Sequence, residues 1–217
     1  MSSFERRCVE ATIDWSIMTL FIPTFFFVSV TPGMCMTLAM SLGMSVGLKK
    51  SFYMMAGELV GVAIVAFLSV IGVAAIMINH PDIFTIFKYL GGLYLGYLGI
   101  QMWMSRGKMA LCHTHSSPSI SGASLAFQGF ITAIANPKGW AFFIALLPPF
   151  IHPSRPLLAQ ISVLLAIILV LEFICLVLYA SGGNTLRKFL QKSDNVKLMN
   201  RIAGTLMMGV GIWLIYG

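Results

Sequence analysis

Twenty consecutive residues, Leu59 to Ile78, carry no charge. A helix needs about 20 predominantly apolar residues to cross the hydrocarbon core of a bilayer, so this stretch alone points to a membrane. Similar runs recur along the 217 residues. They read as six spans: Trp15 to Ala39, Phe52 to Ile78, Ile83 to Met104, Leu125 to Ile151, Leu157 to Ala180 and Val196 to Tyr216. Six spans of about 20 residues with short connections leave little chain for a soluble domain. Only 10% of the residues are charged, against about 25% in a soluble domain, which is too few to cover a water-facing surface. Lipid gives an open backbone no hydrogen-bond partner. The expected fold is therefore an all-α integral membrane protein.

Two of the six spans carry a break. Asn136–Pro137–Lys138 lies inside the fourth. Pro137 removes a backbone donor and clashes with the preceding turn. Lys138 brings an ammonium group to a depth where it costs from about 3 to more than about 10 kcal/mol. Thr31–Pro32–Gly33 interrupts the first span in the same way. Such breaks persist only where protein buries them or a watery cavity receives them, so the two are expected to face each other across a small-molecule path. The breaks also divide the chain into repeat 1, about 15–104, a loop 105–122, and repeat 2, about 123–217. Each repeat opens on a broken span and holds three spans. An odd number makes the second enter from the opposite side, which predicts an inverted-topology repeat with broken helices 1 and 4.

At each break a half-helix begins inside the membrane. Its first N–H groups lack intrahelical partners and carry partial positive charge. The groups just after Pro32 and Pro137 are thus candidates to hold a carboxylate, with Lys138 beside the second. Glu58 and Glu172 are the acids within apolar runs, and an intramembrane acid is a functional candidate by default. Glu172 is the deeper; Glu58 stands one turn inside its span, near headgroup level. Either could pair with Lys138, meet a substrate amine or take up a coupling proton. Gly57-x-x-x-Gly61 allows close helix approach, as do Gly92 and Gly96 on a glycine- and tyrosine-rich helix. Such faces also permit a homodimer. Asn79–His80–Pro81–Asp82 and Gly182–Gly183–Asn184 read as span ends.

Net charge is +7, from 14 basic and 7 acidic residues. Most basic residues flank apolar runs, which suggests headgroups and topology rather than nucleic acid. Lys49, Lys50, Arg106, Lys108 and the basic stretch Arg187 to Arg201 fall on one side. The positive-inside rule makes that side cytoplasmic and puts both termini outside. The N-terminal segment lacks a signal cleavage pattern and is kept as a first span. Cys8, Cys35, Cys112 and Cys175 form no zinc or CxxC spacing. His113-x-His115 lacks a nearby third ligand, so neither metal nor cofactor is expected. A metal-ion exporter would need more intramembrane ligands, and a thiol electron carrier would need Cys35 and Cys175 within bridging reach. No intramembrane histidine offers a hydrolase its base, so no enzyme activity is expected.

Several segments together resemble the LysE/RhtB family of bacterial amino-acid exporters, the threonine/homoserine efflux group. They are Phe27 to Gly33, Gly43 to Leu48, Gly57-x-x-x-Gly61, Lys88 to Gly99, Phe127 to Phe130 leading to Asn136–Pro137–Lys138, then Leu147 to Phe150 and Glu172. Order and spacing match from about Phe21 to Tyr216. The resemblance implies a six-span carrier in the inner membrane, export of amino acids or close derivatives, and drive by the proton-motive force. It also points to Thr31–Pro32–Gly33, Asn136–Pro137–Lys138 and Glu172 as the pore motifs. One departure stands out: the family usually continues Thr–Pro–Gly with proline and a small polar or acidic residue, where this chain has Met34 and Cys35. A second is Val62, at a place where the family often has an acid.

Overall fold

The computed structural model describes residues 15–79, 81–105, 120–147, 150–151 and 155–216. His113-x-His115, Cys8 and Cys112 lie outside them. Among the described residues the regular structure is helical. The helices are α1 Trp15–Val30, α2 Met34–Ser45, α3 Leu48–Asn79, α4 Pro81–Met104, α5 Gly122–Ile134, α6 Pro137–Leu146, α7 Leu157–Gln191 and α8 Ser193–Tyr216. Parts of α3, α7 and α8 (Leu48–Gly72, Leu157–Gly183 and Ser193–Tyr216) are long and apolar enough to cross a membrane, and α1 with α2 forms a further pair bent by 56°. Their outward faces keep large apolar side chains exposed, such as Leu68, Leu158 and Val170. In water that would be a liability; in lipid it is the solvent-matched surface.

Both expected breaks are present. α1 stops at Val30 and α2 starts at Met34; α5 stops at Ile134 and α6 starts at Pro137. Pro137 takes the first helical position, where a missing N–H leaves no bond unmade. α3 ends at Asn79 and α4 starts at Pro81; His80, in the turn expected at Asn79–Asp82, lies outside the described residues.

At the other end, Gly182–Gly183–Asn184 closes the apolar part of the fifth span, which runs Leu157–Gly183; the expectation that needs correction concerns the chain beyond it. Gly183 adopts φ +45°, a conformation open to glycine, and the helix resumes beyond it to Gln191. The basic stretch from Arg187 onward is helical for most of its length, and α8 starts at Ser193, earlier than Val196. Proximity to charged headgroups was read as loop, but basic residues are good helix formers.

Packing is set by glycines meeting backbones. α3 lies against α5: a Cβ on Gly57 would collide with the Ala126 carbonyl, and one on Gly129 with that of Met54. Gly61 would meet Ala133 Cβ at 2.7 Å. α4 and α8 interlock in antiparallel fashion, Gly92 against Gly211 and Gly99 against Gly204, with Cβ-to-carbonyl distances of 2.5–2.9 Å. Gly96 enters this seam through its backbone: its N lies 3.2 Å from a Cβ built on Gly211, while its own Cβ would meet nothing within 4 Å. Gly43 performs the equivalent service between α2 and Ala180 of α7. Gly57, Gly61, Gly92 and Gly99 are thus engaged within the chain, whereas Gly96 presents open space.

The crosswise order of these contacts matters for the site. α3 packs on both pieces of the second broken span, α5 and α6; α7 packs on both pieces of the first, α1 and α2. The two breaks are thereby held between the long helices that carry Glu58 and Glu172.

Candidate functional site

The carbonyls at the end of α1 would be orphaned in the membrane interior. They are satisfied across the interface. Lys138 Nζ donates to the Val28 carbonyl at 2.9 Å, and Tyr179 Oη donates to that of Val30 at 2.6 Å. Thr31 Oγ1 returns to Phe27 O at 2.7 Å. A helix C-terminus carries partial negative charge, so the ammonium group of Lys138 sits where that charge receives it. The α5 end is closed similarly, by Trp140 Nε1 on Ile134 O at 2.8 Å. A cation inside an apolar span is explained by the half-helix it caps.

The two breaks do face each other. A Cβ built on Gly33 would lie 3.9 Å from Lys138 Nζ, and Asn136 Nδ2 reaches Cys35 Sγ at 3.8 Å. Between them lies a chamber of about 60 Å³, lined by Thr31, Gly33, Asn136, Lys138, Glu58 and Glu172 among others. A water claims roughly 30 Å³ of liquid volume, so the chamber has room for little beyond a few waters. Glu58 is fully buried and Glu172 nearly so. α3 extends ten residues before Glu58, which lines the chamber inside the bundle. The two carboxyl groups lie close together, with Cys35 beside Glu58 and Ser29 beside Glu172. Neither oxygen of Glu58 has a well-formed hydrogen bond in the structure.

Three expectations change in detail. Lys138 and Glu172 share the chamber, but no ion pair joins them among the described residues; the lysine is held by a carbonyl. The N–H groups just after Pro137 are already engaged, because Asn136 Oδ1 accepts from Lys138 N at 3.2 Å and Asn136 O accepts from Gly139 N at 3.1 Å. Asn136 is a helix cap as well as a lining residue. The start of α2 has no such side-chain cap, which leaves it as the open half-helix N-terminus. Pro137 is exposed and lines no cavity described here, whereas Pro32 lines the second.

That second cavity is larger, about 340 Å³, and shares Val28, Thr31, Lys138 and Phe142 with the first. Beyond those it is lined by side chains of α4 and α8, Gln101 and Asn200 among them, and by Ser105 just after α4. Aromatic rings cluster beside the chamber. Phe25 packs on Phe142 and Phe143 with centroids 5.8 and 6.1 Å away, and Phe21 meets Phe150 edge-on at 4.8 Å. Ser29, Tyr179 and this aromatic cluster escaped the sequence reading. Their hydroxyl and ring positions follow the helical faces of α1 and α7, which become meaningful once the neighbours are known. Cys35 and Cys175 are buried free thiols. Met34, the other departure at the first break, points outward, so Cys35 is the one that alters the chamber.

Residues 26–217 match the family model of the LysE type translocator. A homoserine/homoserine lactone efflux protein of Salmonella typhi is 29% identical over 94% of this chain and 97% of its own length. A leucine efflux protein of an Enterobacter strain is 28% identical over 85% of this chain and 88% of its own. An uncharacterized membrane protein of Vibrio cholerae is 29% identical over 93% and 98%. No solved structure matches significantly. Family match, apolar helices and two facing breaks agree, and the chain belongs to the LysE type translocator family.

Proposed function

We propose that this protein exports an amino acid or a closely related small zwitterion across the bacterial inner membrane in exchange for protons. The observation that carries the reading is the chamber between the breaks, where a cation, an uncapped helix N-terminus and two acids converge. Lys138 and the first N–H groups of α2 suit a substrate carboxylate. Glu172 and Glu58 suit a substrate ammonium group in one step and a proton in another. Relatives named for homoserine and leucine efflux favour amino-acid cargo over other solutes.

The crosswise packing of α3 and α7 supports an inverted repeat, in which α1–α4 and α5–α8 are related by a two-fold axis in the membrane plane. With the basic residues inside, the wide cavity opens toward the cytoplasm and the aromatic cluster shuts the outer side. This arrangement corresponds to an inward-facing carrier. Export then requires the contacts around Phe21, Phe25 and Phe143 to part while those around α4 and α8 close.

Metabolite profiles inside and outside cells with and without the protein test the reading. A small set of amino acids should move outward only when it is present. Lys138→Ala and Glu172→Gln should abolish that movement while membrane abundance stays at the wild-type level. Full export by both variants would overturn the assignment of the site.

A further inference from the structure

The wide cavity has two distinct ends. Lys138, Thr31 and Phe142 mark the end shared with the chamber, while Ser105, Val196 and Asn200 line the wide cavity alone. The register of α4 on α8 assembles the far end: Gly99 meets Gly204, and Asn200 Nδ2 donates to Ser105 Oγ at 2.9 Å, in the same antiparallel alignment. Between the ends the wall holds Leu98, Met102 and Met207, with Gln101 as its polar side chain.

Asn200 is the unusual group at the far end. It is 7% exposed, and its Oδ1 has no hydrogen-bond partner. Buried acceptors without a partner are few in native proteins, and each asks for an explanation. Ser105 holds the amide nitrogen, which orients the oxygen as the free half of the group.

Resting on the exporter reading above, we propose that the far end of the wide cavity is a substrate subsite. There Asn200 Oδ1 accepts a hydrogen bond from a donor on the substrate's side chain, while the substrate's carboxylate lies toward Lys138. Asn200 is then a specificity-determining residue. A side-chain hydroxyl fills the empty acceptor, whereas a methyl group of the same size leaves it unpaired. A site built to bond a hydroxyl rejects the analogue that lacks it far more strongly than an apolar pocket could.

The test uses the full-length protein in proteoliposomes with two near-isosteric pairs, threonine against valine and homoserine against norvaline. The wild type should favour the hydroxylated member of each pair. Asn200→Leu should lower that preference about tenfold or more, mainly by weakening the hydroxylated member. Ser105→Ala, which frees the amide to rotate, should lower it by less. No preference in the wild type, an unchanged preference in both variants, or an equal loss for both members would overturn the subsite. If Asn200→Leu fails to reach the membrane, Ser105→Ala decides by the same ratio. A wild type that moves none of the four amino acids overturns the exporter reading, and this inference falls with it. Transport with a preference that Asn200 does not control overturns this inference alone.

Discussion

Lys138 illustrates how a single residue can look anomalous in sequence and ordinary in its surroundings. In an isolated span its charge would be expensive. Here it lies against the carbonyl end of α1, where the Val28 oxygen receives it at 2.9 Å. Its neighbour in this task is Tyr179, whose hydroxyl caps Val30 and which is 1% exposed. Removing that hydroxyl leaves a buried carbonyl without its partner. Tyr179→Phe should therefore destabilise the protein by about 1–3 kcal/mol, which lowers the melting temperature in detergent by several degrees, about 2–4 °C per kcal/mol at this size. An unchanged melting point would show that the Val30 carbonyl finds another donor. The sequence exposed Lys138, Glu58 and Glu172 because charge stands out in an apolar run. It did not expose Tyr179 or Ser29, because a hydroxyl in a helix is common and acquires meaning only from what faces it.

Among the elements, the long helices α3 and α7 do the positioning. Each clasps the broken span of the other half of the chain, and glycines set how closely they approach. The glycines are not equivalent, and the difference can be tested. Gly129→Ala would drive a Cβ into the Met54 carbonyl, part of the α3 backbone that leads to Glu58. Backbone cannot yield as a flexible side chain can, so this variant should be scarce in the membrane and inactive. Gly96→Ala meets nothing within 4 Å and removes a helix-weakening glycine, a gain of about 1 kcal/mol in helix propensity; its abundance should equal or exceed wild type. Immunodetection in membrane fractions measures both, and equal behaviour of the two would contradict the packing described. The pattern of small residues announced close approach at Gly57, Gly61 and Gly92. Which glycines are spacers and which face open space depends on helix rotation, and so Gly204 and Gly211 were not singled out. The helix beyond Gly183 was missed for a related reason: consecutive glycines mark where a span ends, not whether the chain past them stays helical.

For the whole molecule, the proposed inward-facing arrangement makes the direction of access measurable. In a background without native cysteines, Ser105→Cys should react with a membrane-impermeant thiol reagent in inside-out vesicles and stay unmodified in intact cells. The reverse result would invert the proposed orientation. Dissipating the proton gradient should stop net export, and export that persists undiminished would exclude proton exchange as its drive. What the sequence by itself determined is what depends on composition along the chain: a membrane environment, helical spans, two breaks, and the charged residues placed in them. Each is a local mismatch between a residue and lipid, and so can be read one segment at a time. Tertiary structure decided the rest. It brought the breaks face to face, gave Lys138 a carbonyl instead of Glu172, turned Asn136 into a cap, and left Asn200 with an empty acceptor beside a second cavity. Those outcomes depend on which helix faces meet, and a face has no chemistry until its neighbour is known.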